Sequence, residues 1–90
     1  MTGDQVSKMA AAMAMYLREL ALIPFVPGGA ALVAGAAALE SLAANAAECA
    51  ALASAATVGV TALQIVWEWL KSRGQTDAAR ALMSTTSGPE

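Results

Sequence analysis

The chain is expected to be all-α, an unequal hairpin of one short and one long helix, and three observations lead there. Alanine, the strongest helix former, supplies 24 of the 90 residues. Proline occurs only at positions 24, 27 and 89, so two long stretches are free of that helix breaker. Large apolar residues recur at intervals of three and four, the helical period, rather than two.

The short helix is placed at about 4–23. Val6, Met9, Met13, Tyr16, Leu20 and Ile23 form its apolar stripe, and Thr2 or Asp4 is suited to cap it. Next comes PFVPGG. Pro24 and Pro27 lack an amide donor and push the preceding residue out of the helical region, while Gly28 and Gly29 accept positive φ, so 24–29 reads as a turn. From Ala30 to Arg73 no proline intervenes, and Gly74 supplies the stop, which predicts one helix of about 65 Å at 1.5 Å per residue. QTDAARALMS suits a further short helix over 76–84 behind a Thr76 or Asp77 cap. Residues 85–90 read as a polar tail, and the whole chain as one small domain.

Along the long helix an apolar heptad seam runs without a slip. Leu32, Leu39, Ala46, Ala53, Val60 and Trp67 take its a positions, and Gly35, Leu42, Cys49, Ala56, Leu63 and Leu70 take d. Alanine buries little area, but it lets helix backbones approach closely, so the seam has value only when covered. The short helix reaches about half-way along it. Cys49 to Leu70 are left without a partner inside the chain.

Composition sharpens the need for a cover. Hydrophobic residues make up 58% of the chain and charged ones 13%, against roughly 45–50% and 25% in ordinary globular domains. The first expectation is that copies of the chain cover one another, making it a self-assembling structural subunit of a homo-oligomer or polymer. The alternative is lipid. Residues 49–67 form a charge-free run of 19, close to the ~20 that span a bilayer. Trp67, Trp69, Lys71 and Arg73 close that run as interfacial anchors do, the pattern of a small integral membrane protein, an accessory subunit or pore former. Residues 20–39 form a second charge-free run, but against a plain two-span hairpin PFVPGG interrupts its middle, and ESLAANAAE between the two runs reads as continuing helix, where a second span needs a turn.

Other classes are set aside. A net charge of −2 without a basic cluster argues against nucleic acid. With no histidine and one cysteine, the commonest general base and a cysteine-based zinc site are both missing, so neither enzyme, metal nor cofactor is expected, and no small-molecule substrate is evident. Glu48 beside Cys49 raises rather than lowers a thiol pKa, which makes Cys49 a small seam residue. Glu40 and Glu48, two turns apart, read as a solvated stripe, with an ion path in a membrane ring as the sharper alternative. Asn45 beside the seam either fixes register between copies or sits exposed. Trp67 and Trp69 point to different faces, and Gly28, Gly29 and Gly35 belong to no phosphate-binding loop. No cleaved signal peptide is evident, because Asp4 comes first and Arg18 and Glu19 interrupt the first apolar stretch. Location is left between a cytoplasmic assembly and a membrane.

One stretch resembles a known family. AATVGVTALQIV, residues 55–66, is similar to the Ala-rich subunits of bacterial R-bodies, which form coiled protein ribbons. The likeness covers these twelve residues only and lacks the Gln-rich middle expected of such subunits. Phage lysis proteins and pilins match in size alone.

Overall fold

Helix prevails throughout, in pieces shorter than the sequence suggests. The computed structural model describes residues 1–24 and 28–86 and forms helices at Gly3–Ala21 (α1), Gly29–Ala44 (α2), Ala46–Ala55 (α3), Ala62–Ser72 (α4) and Thr76–Thr86 (α5). No strand occurs among the described residues, so the all-α class holds. Pro27 of the expected turn and the tail from Ser87 onward lie outside the described residues.

The ends of α1 and α4 and the turn into α2 have local causes. The α1 N-terminus is a capping box: Gln5 N–H donates to Thr2 Oγ1 at 3.3 Å while Thr2 N–H donates to Gln5 Oε1 at 2.8 Å. Thr61 and Gln64 repeat that box at the start of α4, at 3.2 and 3.1 Å. At the end of α4, Gly74 takes φ +80°, its N–H donates to Lys71 O, and Gln75 N–H donates to Leu70 O, each at 3.0 Å. This pair of bonds turns the chain straight into α5. Pro24 follows α1 and Gly28, at φ +76°, precedes α2, as expected of a turn, while Gly29 is already the first residue of α2.

The single helix over 30–73 does not form. It breaks at Asn45, where the axis turns by 90°, and again over 56–61, between Ala55 and Ala62. Thr57, Val58, Gly59, Val60 and Thr61 explain the second break, since four β-branched residues and a glycine all lower helix propensity. The first break has a tertiary cause, since a straight helix of about 65 Å would stand far outside a molecule whose longest dimension is 38 Å. Only by turning can α3 and α4 lie against α1. The apolar run 49–67 is consequently divided between α3, the 56–61 segment and α4, and no single helix among the described residues is long and apolar enough to cross a membrane.

α1 is the hub of the packing and touches the other four helices. It lies antiparallel to α2, with Ser7 against Ala43 and Leu17 against Gly35. Its buried face is Val6, Ala10, Met13, Ala14 and Leu17, whereas Met9, Tyr16 and Leu20 are half-buried and Ile23 is exposed. The expected stripe is thus rotated toward the alanines. Ala10 and Ala14 share the core face with Val6, Met13 and Leu17, and small residues sit where neighbouring segments come close. A Cβ at Gly3 would stand 2.9 Å from Ala50 N, and one at Gly35 would overlap the Ala78 methyl. The remaining core is Leu32, Ala36, Leu39 and Leu42 of α2, Cys49 and Ala53 of α3, Val66, Trp69 and Leu70 of α4, and Ala78, Ala79 and Leu82 of α5.

Two substitutions test this close packing. Gly35→Ala is expected to lower stability by about 1–3 kcal/mol through overpacking, although alanine is the better helix former. Ala53→Leu is expected to cost a similar ~1–3 kcal/mol in the monomer itself. Urea unfolding at low protein concentration measures both, and an unchanged midpoint for Ala53→Leu would show that Ala53 does not face the chain's own core.

Candidate functional site

The predicted self-association seam is dispersed by the two breaks. Leu39, Leu42, Cys49, Ala53 and Leu70 are buried in the chain's own core, Ala56, Val60, Leu63 and Trp67 are half-buried, and Ala46 is exposed at the start of α3. No continuous seam lines one helix. The structure instead concentrates its polar chemistry at the α2–α3 break.

A helix that ends in one residue leaves carbonyls without their usual i+4 donors, and these must find others. Three arrive from different parts of the chain. Asn45 N–H donates to Leu42 O at 3.0 Å; the Cys49 thiol donates to the same carbonyl at 3.1 Å; and the Ser7 hydroxyl, from α1, donates to Ala43 O at 2.8 Å. On the far side of the turn, Asn45 Oδ1 accepts from Glu48 N–H at 3.0 Å and so caps α3. Asn45 therefore terminates one helix and starts the next. A groove of about 300 Å³ lies beside this turn, lined by Gly3, Asp4, Ser7, Ala43, Ala44, Ala46 and Ala50.

Glu48 makes only half of a capping box, because its carboxylate serves elsewhere. Oε2 accepts from Trp69 Nε1 at 3.1 Å and from Arg73 at 3.2 Å, and the Arg73 guanidinium lies 4.9 Å from the centre of the Trp69 ring. This joins α3 to α4. Glu40 accepts from Nη1 and Nη2 of the Arg18 guanidinium, which joins α2 to α1. The two glutamates expected as one stripe are thus engaged by different helices, at half-exposed sites where such pairs contribute little, about 0–1 kcal/mol each. Trp67 donates from Nε1 to Ala79 O at 3.1 Å and ties α4 to α5.

Burial pushes the Cys49 thiol up from its ordinary pKa, the Glu48 charge adds to the shift, and the Ser7 hydroxyl opposes it. The group is kept protonated, as a donor requires, and is the reverse of an activated nucleophile. A second cleft, about 250 Å³ between α4 and α5, is lined by Trp67, Lys71, Thr76, Ala79 and Arg80. Its cations are already engaged: Lys71 Nζ stands 4.4 Å from the centre of the Trp67 ring, and Arg80 pairs with Asp77 at 3.6 Å. No three His, Cys, Asp or Glu side chains among the described residues are grouped to hold a metal ion.

Sequence reasoning missed Ser7, Arg18 and Arg73 as partners, since each acts across more than twenty residues of chain. A signal for the breaks was present. Asn45-x-x-Glu48 and Thr61-x-x-Gln64 both have the spacing of a helix start. Fold and site together define an all-α protein, with five helices among the described residues and a hydrogen-bonded break between two of them. Comparison with known proteins adds no relative: no family model, no curated protein and no solved structure matches the chain.

The folded state holds the Cys49 proton more tightly than the unfolded chain does. Its contribution to stability is complete below the free thiol's pKa, about 8.5, and falls away as the pH rises above it. Urea midpoints between pH 7 and pH 10 should decline with a slope that Cys49→Ala removes. An equal slope in both proteins would assign the decline to other groups.

Proposed function

We propose that the protein is a self-assembling structural subunit whose copies meet through the outer faces of α2 and α3. One observation carries the reading: those faces are exposed, almost uncharged and made mostly of alanine, with Ser41 and Ser54 among them. Ala34, Ala37 and Ala44 on α2 and Ala47, Ala51 and Ala55 on α3 are all exposed, with Val33 half-exposed beside them. Glu40 is the ionised side chain at their border, and Arg18 already neutralises it. Two copies of net charge −2 can therefore approach there without setting like charges against each other. Methyl-lined faces also permit backbones to come close, as Gly3 with Ala50 and Gly35 with Ala78 do inside the fold. Function on this reading is architectural.

A bilayer-associated role is the second reading, and α2 with α3 is the segment that favours it. Together they have the length and composition of a span, but bent by 90° at Asn45. Such a shape suits a re-entrant or interfacial segment rather than a straight crossing.

The double variant Ala37→Glu/Ala47→Glu places carboxylates on both faces at exposed positions, where the fold itself should lose no more than about 0.5 kcal/mol per site. Sedimentation should show the parent associating and the variant monomeric, with equal circular dichroism. Association that survives both charges would refute the outer-face contact, and flotation of the parent with anionic vesicles, lost in the variant, would favour lipid.

A further inference from the structure

We infer that the Asn45 break is a releasable latch: when it opens, α2 and α3 join into one helix, and two copies of the chain exchange their α3–α5 segments. Nothing in the local backbone enforces the turn. The sequence from Ala36 to Val58 contains neither glycine nor proline, and Asn45 sits between pairs of alanines, the best helix formers. The bend is held by three hydrogen bonds made by side chains: Asn45 to Glu48 N–H, Ser7 to Ala43 O and Cys49 to Leu42 O.

Two alternative partner sets exist for the same carbonyls. In the bent chain Leu42 O and Ala43 O accept from Asn45 N–H, Cys49 and Ser7. In a continuous helix from Gly29 to Ala55 they accept from the amides of Ala46 and Ala47, four residues on. Both forms satisfy the backbone, which is what a two-state element requires. The groove beside the turn, bordered by Ala44 and Ala46, leaves room on that side of the hinge.

A lone open chain is unfavourable, because straightening lifts α3 off the N-terminal turns of α1 and uncovers Cys49 and Ala53. A second open copy supplies the missing surface in full. The α1–α2 pair of one chain receives α3–α5 of the other, so the contacts of α1 and α2 with those helices away from the hinge are made again between chains, while Glu48 to Trp69 and Arg73, within the exchanged segment, travel with it unchanged. A one-residue connection is the kind of short hinge that favours exchange. This goes beyond the outer-face reading, since exchange needs no outer face.

The test therefore uses the full chain carrying Ala37→Glu/Ala47→Glu, in which outer-face association is blocked. Adding Asn45→Ala removes the cap and favours continuous helix, and because two hinges open per dimer, the dimer dissociation constant should fall about tenfold or more. Adding Asn45→Gly instead should leave the chain monomeric. Light scattering reads the mass, and maleimide labelling reads Cys49, which should react slowly in the isolated Asn45→Ala dimer because exchange buries it again. Dissociation on dilution should be as slow as unfolding. Should Asn45→Ala lose its helicity, Asn45→Gln, a better helix former than Asn, carries the same expectation. A monomeric Asn45→Ala or Asn45→Gln chain, or a dimer that dissociates on dilution without Cys49 becoming reactive, overturns the exchange. Either result leaves the outer-face reading to its own experiment.

Discussion

The structure depends on how two carbonyls, Leu42 O and Ala43 O, are satisfied once α2 stops. Buried or half-buried backbone acceptors without donors would cost about 1–3 kcal/mol each, a large share of the stability of a domain this small. Ser7 meets one from α1 and Cys49 meets the other from α3. The turn thus fixes where α1 must lie and which face α3 must present. Once α3 is set, Glu48 points at Trp69 and Arg73, and α4 is positioned in turn.

Alanine explains why the helices stand so close. Between the large core side chains, Val6, Met13, Leu17, Leu32, Leu39, Leu42, Val66, Trp69, Leu70 and Leu82, lie the methyl groups of Ala10, Ala14, Ala36, Ala53, Ala78 and Ala79, whose individual contacts are weak and whose number is high. Gly3 and Gly35 lie where a Cβ would collide, with the Ala50 backbone at one and the Ala78 methyl at the other. The two tryptophans act differently, as amphipathic struts on α4. Trp69 is buried with its N–H on Glu48, and Trp67 is half-buried with its N–H on Ala79 O.

The same residue type lies inside and outside, and this bears on function. Folding hides the apolar positions that a straight helix would have displayed and displays a different alanine surface, the outer faces of α2 and α3. The surplus of apolar residues is therefore moved rather than removed. The architectural role proposed for the protein rests on that surface, which carries little charge beyond the Glu40–Arg18 pair.

Local chemistry by itself determined the helical class, the start of α1 at the Thr2 cap, the interruption around Pro24 and Gly28, the stop at Gly74 and the short helix after it. Each follows from residues within a few positions of one another, where propensity and capping act. The helix ends at Asn45 and over 56–61 also carried local cap signals, which the alanine-rich, proline-free pattern around them masks in the sequence. What tertiary structure decided was whether that pattern stayed straight. Helix propensity separates Asn from Ala by less than about 1 kcal/mol, so contacts from afar settle the matter: Ser7 on Ala43, Gly3 against Ala50, Glu48 on Trp69 and Arg73. Those partners lie more than twenty residues apart in the chain, and periodicity in a sequence carries no information about which face a distant helix will cover.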